Sequence, residues 1–137
     1  MQMGVVDTVA GKQAVTTFRV LERYMAGRYD DGYTLVECKL YTGRTHQIRV
    51  HMAYIKHQVV GDPLYGRNHP KADMGLTRQF LHAYRLSLTH PITNERLEFF
   101  DPLTEDLASR LRTLEPDSMG RTPAGEEVFP VIMPVIP

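Results

Sequence analysis

The sequence predicts an α+β fold with a mainly antiparallel, mixed sheet and a few helices. Three observations predict it. Segments rich in β-branched and aromatic residues at 14–24, 34–41, 81–89 and 96–100 are separated by turn-forming residues. After Gly43 the spacing turns helical, with Ile48, Met52 and Ile55 on one stripe at about 100° per residue. A second apolar stripe, Leu107, Leu111 and Leu114, follows Thr104 and the acids Glu105 and Asp106, a favourable helix start. Strands that follow one another through short turns, without strict alternation with helices, fit an antiparallel sheet.

Residues 1–12 end in Ala10-Gly11-Lys12 and read as a turn-like lead-in. The run 14–24 is a strand, and the Asp31-Gly32 turn returns the chain into a second strand, in which Val36, Cys38 and Leu40 share one face. That strand feeds the Gly43 turn. Glycine tolerates the left-handed backbone of a tight connection, and Thr45 is placed to cap a helix running from His46 to about Ile55. Val59 to Pro63 reads as a short strand closed by an Asp-Pro turn, and 67–80 as an exposed excursion broken by Pro70 and Gly75. Leu81–Thr89 and Arg96–Phe100 form a second hairpin around His90-Pro91-Ile92-Thr93-Asn94. The helix after Thr104 closes a unit at residues 1–115.

A proline-rich apolar tail, 116–137, remains. Pro130, Pro134 and Pro137 lack backbone donors, so the expectation is extended docking along a sheet edge or apolar face, in the same molecule or across a homodimer. The single cysteine, Cys38, excludes an internal disulfide and fits a buried thiol in a reducing compartment. No run approaches the roughly 20 apolar residues of a membrane span, and the N-terminus lacks a basic-then-apolar layout. A cytoplasmic location with no membrane partner is therefore expected.

Acids and bases balance at 16 each, but they are not evenly spread. Residues 39–94 hold eight Lys or Arg against Asp62 and Asp73 alone, and the flanks carry the compensating negative charge. If those bases share a face, they form the footprint of a phosphate or nucleic-acid site. Arg49 flanks the helical stripe, where its stem is packed and its fork is suited to bidentate pairing with a carboxylate or phosphate. Arg44, just ahead of the helix, shares the anion-attracting environment of a helix N-terminus. Thr45, His46, Gln47, His51 and Lys56 complete the candidate RNA- or phosphate-binding set. His46 and His51 point about 140° apart on a helix, and no further ligand stands at metal spacing, so no metal is expected. His82 either is a core histidine satisfied by backbone or lines the Arg49 site.

The run Thr42-Gly43-Arg44-Thr45-His46-Gln47-Ile48-Arg49-Val50-His51-Met52-Ala53 is followed by Val60-Gly61-Asp62-Pro63-Leu64-Tyr65-Gly66, Leu81-His82-Ala83 and His90-Pro91. Together with the Lys-x-Ala-x-Thr pattern opening Lys12–Leu21, these resemble the C-terminal half of the catalytic domain of pseudouridine synthases acting on large-subunit ribosomal RNA and transfer RNA. The likeness covers about residues 3–114, with His57-Gln58 in place of the family's usual His-Pro. It implies an isomerase that needs no cofactor. An aspartate attacks or deprotonates the nucleoside, the glycosidic bond breaks, and the uracil rotates and rejoins through C5. Arg49 matches the arginine that pairs with that aspartate, where a fork held against a carboxylate orients it and lowers its pKa. The aspartate's own motif, His-Arg-Leu-Asp, is absent from these 137 residues. The resemblance therefore implies a piece of such an enzyme, inactive alone. The alternatives are a non-catalytic RNA-binding module and, more weakly, a phosphometabolite binder using the helix N-terminus.

Overall fold

A 13-residue strand, β2 (Lys12–Tyr24), is the spine of the computed structural model, which describes residues 3–9, 12–27, 30–41, 46–65 and 74–133. β2 pairs antiparallel with β3 (Tyr33–Leu40), from Thr16 opposite Leu40 to Tyr24 opposite Tyr33, with a register shift between Val20 and Glu22. The expected turn between them is fastened by Asp30, whose Oδ1 accepts from the backbone N–H of Gly27 at 3.0 Å and of Gly32 at 2.8 Å. Gly32 has a φ of 94°, and a Cβ there would lie 2.7 Å from the Tyr24 carbonyl oxygen, so glycine is required. The segment read as a lead-in is instead a strand, β1 (Met3–Val9), paired antiparallel with β2 from Met3–Arg19 to Val9–Lys12. The alternation Val5, Asp7, Val9 is short and weak, and it gains its partner only from β2.

Helix α1 (Gln47–Tyr54) starts one residue later than expected, with His46 at the cap position in the left-handed region at φ 51°. Thr45, the expected cap, lies outside the described residues together with Thr42, Gly43 and Arg44. The buried face of α1 also differs from the expected apolar stripe. Its buried residues are Gln47, His51 and Met52, while Ile48 and Ile55 are half-buried. The reason is a polar seam onto β2. The Gln47 Nε2 donates to the Val15 carbonyl at 3.0 Å and to Thr16 Oγ1 at 2.9 Å, and His51 Nδ1 lies 2.7 Å from the same hydroxyl. Thr16 and His51 have no solvent exposure, and buried polar groups that find partners can replace apolar contact at an interface.

Val59–Pro63 is not a strand. Its bonds are an isolated Phe80 N–H to Val60 O at 2.7 Å and a turn from Asp62 N–H to Val59 O at 3.2 Å. Gly61, at φ 74°, packs so closely that a Cβ would sit 2.3 Å from the Arg78 carbonyl. The second hairpin is present but shorter: β4 (Arg85–Thr89) pairs with β5 (Arg96–Phe100) as a separate two-stranded sheet. Residues 81–84 lie ahead of the strand, where the N–H of Asp101 bonds the Tyr84 carbonyl and His82 Nε2 lies 2.8 Å from the Asp101 carbonyl. Half of the 67–80 excursion, residues 67–73, lies outside the described residues.

Helix α2 (Glu105–Leu114) follows Thr104 as expected, burying Leu107, Ala108 and Leu111. The tail departs from expectation. In place of an extended docked segment there are a strand, β6 (Ser118–Arg121), and a helix, α3 (Pro123–Ile132). β6 pairs antiparallel with the end of β2 at Glu22 and Tyr24. Pro123 stands in the first turn of α3, where a missing N–H costs nothing. Thr122 caps the helix by accepting from Gly125 N–H at 3.0 Å and donates to the Val20 carbonyl at 2.6 Å. Pro130 lies on the exposed side near the helix end, opposite the buried Val128, Phe129 and Ile132. Those residues join Leu21, Tyr24, Leu103, Leu107 and Leu111 in one hydrophobic core, so the segment read as a tail is part of the domain's interior. Pro134 and Pro137 lie outside the described residues.

Candidate active site

Because Gln47 and His51 fasten one side of α1 to β2, Arg49 projects toward the 60–65 turn. Its guanidinium meets Asp62 along one edge, with Nε to Oδ2 and Nη2 to Oδ1 both at 2.8 Å. The pair is well shielded, the side chains being 11% and 0% exposed, so bulk water screens it weakly. Asp62 Oδ1 also accepts from the backbone N–H of Leu64 at 2.9 Å and of Tyr65 at 3.0 Å. Hydrogen bonding from Arg49 holds the Asp62 carboxyl at about 2, below its ordinary 3.8; the Tyr65 and Leu64 amides act in the same direction and burial opposes them. The phenol ring of Tyr65 lies beneath the guanidinium at 5.3 Å, and the His46 ring meets Tyr65 edge-on at 6.0 Å between centroids. The result is an arginine whose fork is fixed by a carboxylate on one edge and an aromatic ring on one face. Among the described residues, its Nη1 has no hydrogen bond.

The other candidate residues divide. His46 is exposed at the start of α1, and Lys56 is exposed just past its end at φ 65°. Gln47 and His51 do not reach the surface that a phosphate would touch; they are 3% and 0% exposed and spent on Thr16, so they hold the helix instead. Arg44 and Thr45 lie outside the described residues. His82 keeps a backbone partner in Asp101 and also lines the same cleft, of about 1960 Å³, as Lys56, Asp62 and Tyr65. Cys38 is a half-buried free thiol whose pKa burial pushes up to about 11, which disfavours the reactive thiolate. Among the described residues, no group of three His, Cys, Asp or Glu could hold a metal.

The run of positive charge is also partly neutralised. Arg49 is paired with Asp62, Arg78 with Asp106 at 2.8 Å and Arg85 with Glu98 at 2.7 Å. Two of those acids lie outside the 39–94 segment, so sequence clustering overstated the basic surface.

Asp62 and Tyr65 are the residues that sequence reasoning passed over. The signal was available: Asp62 is one of only two acids in the basic segment and follows a glycine in a turn, with Tyr65 three residues on. Reading the turn as a strand end hid its side chain's role.

In sequence and in its antiparallel α+β frame the chain is similar to RNA pseudouridine synthases. The RNA pseudouridylate synthase family model matches residues 2–54. Among individual relatives, the chain is 46% identical over 123 residues to ribosomal large subunit pseudouridine synthase D of Neisseria meningitidis, covering 83% of this chain and 31% of that protein. It is 50% identical over 104 residues to an uncharacterized RNA pseudouridine synthase of Bacillus subtilis, covering 76% of this chain and 31% of the relative. In structure it is similar to human RNA pseudouridylate synthase domain containing 1, with a TM-score of 0.57 and 35% identity over 72% of this chain and 39% of the human chain. By these matches the chain belongs to the RNA pseudouridine synthase family, and it spans about a third of the length of the curated relatives.

Proposed function

We propose that this chain is the arginine-bearing part of an enzyme that isomerises uridine to pseudouridine in ribosomal or transfer RNA. The observation that carries the reading is the fixed fork of Arg49. Asp62 occupies its Nε/Nη2 edge at 2.8 Å, which, among the described residues, leaves Nη1 to meet a second carboxylate. In the reaction that carboxylate is an aspartate contributed from outside these 137 residues, where no His-Arg-Leu-Asp motif occurs. Arg49 orients it and keeps it ionised as the bond from C1′ to N1 breaks and the bond from C1′ to C5 forms, with the C5 proton lost to solvent and N1 taking up a proton in its place. His46 and Lys56, with Arg44 and Thr45 beside them in sequence, supply contacts to the RNA backbone that position without reading sequence.

The chain alone is therefore expected to form no pseudouridine. The test is tritium release from RNA labelled at uridine C5, with ribosomal and transfer RNA as substrates. Release by the isolated 137-residue chain would overturn the division of labour. Release on adding an aspartate-bearing partner polypeptide would support it. The second reading, a non-catalytic RNA-binding module, is favoured by the same missing motif and predicts RNA retention with no release under either condition. A cytoplasmic location and self-association belong to the proposal as well. The apolar face of the β4–β5 hairpin supports the latter: Leu86 is 58% exposed and its cross-strand neighbour Phe99 is 54% exposed. No helix among the described residues is long and apolar enough to cross a membrane.

A further inference from the structure

We propose that Asp62 is a positioning residue for Arg49: Oδ1 builds the turn and holds one arm of the guanidinium, while Oδ2 alone receives Nε and so sets the direction of the fork. The inference rests on the reading of Arg49 given above. Oδ1 takes the Leu64 and Tyr65 amides, which close the turn, and also the Arg49 Nη2. Oδ2 takes the Arg49 Nε. An arginine side chain rotates about several bonds, and its guanidinium can pair through either of two edges. Fixing Nε removes the last of that freedom, because Nε lies on the stem side and its direction sets the plane of the whole fork. Tyr65, brought under that plane by the turn, limits tilt. The fork is thus oriented before any second carboxylate arrives, and the ordering cost of that encounter falls. Asp62 touches neither base nor reacting carboxylate in this account. It acts through Arg49.

The separation of duties gives a selective variant. In Asp62→Asn the side-chain oxygen can still accept from Leu64 and Tyr65, whereas the amide nitrogen cannot accept from Nε. The experiment is side-chain and backbone NMR on the full 137-residue chain, with the Arg49 Nε–H signal assigned by its loss in Arg49→Lys. In the native chain its exchange with solvent should be at least about tenfold slower than that of an exposed arginine, as befits a shielded hydrogen bond. In Asp62→Asn it should speed up by that factor while the Leu64 and Tyr65 amides keep their protection. Two results overturn the proposal: Arg49 Nε–H stays protected in Asp62→Asn, or the turn amides lose protection together with it, which would make Asp62 a turn-former only. If Asp62→Asn does not fold, the same amides are followed in Arg49→Lys. Protection retained there supports separate duties, and protection lost overturns them. None of these signals depends on isomerase activity, so failure here leaves the functional reading to its own assay.

Discussion

At the residue scale, a lysine in place of Arg49 keeps the charge and discards the fork. Arg49→Lys is expected to lower isomerisation in the completed enzyme by on the order of 10²-fold, the scale of removing one preorganised donor. Its thermal unfolding temperature should fall measurably as well, because the shielded Asp62 loses its Nε donor, while the retained charge keeps the chain folded. Turnover near the native rate would remove Arg49 from the mechanism. The Asp62 partner has a pH signature. Its carboxyl sits at about 2 when folded against 3.8 when free, so the unfolded state binds the proton more readily at mildly acid pH. The stabilisation is fully present above about pH 4 and is lost as pH falls toward 2, and it amounts to about 2 kcal/mol. Acid unfolding of Asp62→Asn should lack that component, which a titration followed by circular dichroism would read. Arg49 was singled out in the sequence by its motif and by its place beside a stripe of Ile48, Met52 and Ile55, and that stripe is replaced in the structure, Met52 apart, by a polar seam of Gln47 and His51. Its partner Asp62 was not singled out, because a bidentate pair joining positions 49 and 62 depends on how a turn folds back. The reassignment of Gln47 and His51 has the same origin: nothing local in a helix reveals that Thr16, 35 residues from His51, will claim its inward face.

At the element scale, strands and helices with strong periodicity were readable, and those that depend on a distant partner were not. The β2–β3 hairpin, β4–β5 and α2 follow from alternation, turn chemistry and an apolar stripe. β1 and β6 are short strands that exist by pairing with β2, and α3 was obscured by its prolines. α3 also illustrates a close approach that only geometry exposes. A Cβ on Gly125 would lie 2.2 Å from the Leu21 carbonyl oxygen, an atom of the β2 backbone that cannot swing away. Gly125→Ala is expected to cost about 1–3 kcal/mol by overpacking, despite alanine's better helix propensity. Chemical denaturation would measure it; an unchanged or raised midpoint would mean that α3 does not press on β2 as described.

At the scale of the whole molecule, the interior is shared by β2, α2 and α3, while the β4–β5 sheet stands apart with an uncovered apolar face. A two-stranded hairpin has little independent stability in water. Through that face the chain is expected to self-associate at micromolar concentrations, and Leu86→Lys combined with Phe99→Lys to return it to monomer. Light scattering would decide: a native monomer across that range removes the dimer. The charge of the 39–94 segment was a poor guide here, because the acids that neutralise Arg78 and Arg85 come from the later part of the chain.

The pairing of β6 with β2 has a consequence in time. Ser118 Oγ donates to Glu22 across a sequence separation of 96, and α3 then lays its apolar side on the same strand. The end of β2 is therefore made early and finished late. During synthesis, Leu21 and Tyr24 wait for residues 118–132 to emerge, and bringing such distant segments together carries a loop-closure entropy that slows folding. The nascent chain holds an open strand end and an unfilled core through that interval, the stage at which a chaperone or a wrong neighbour finds it.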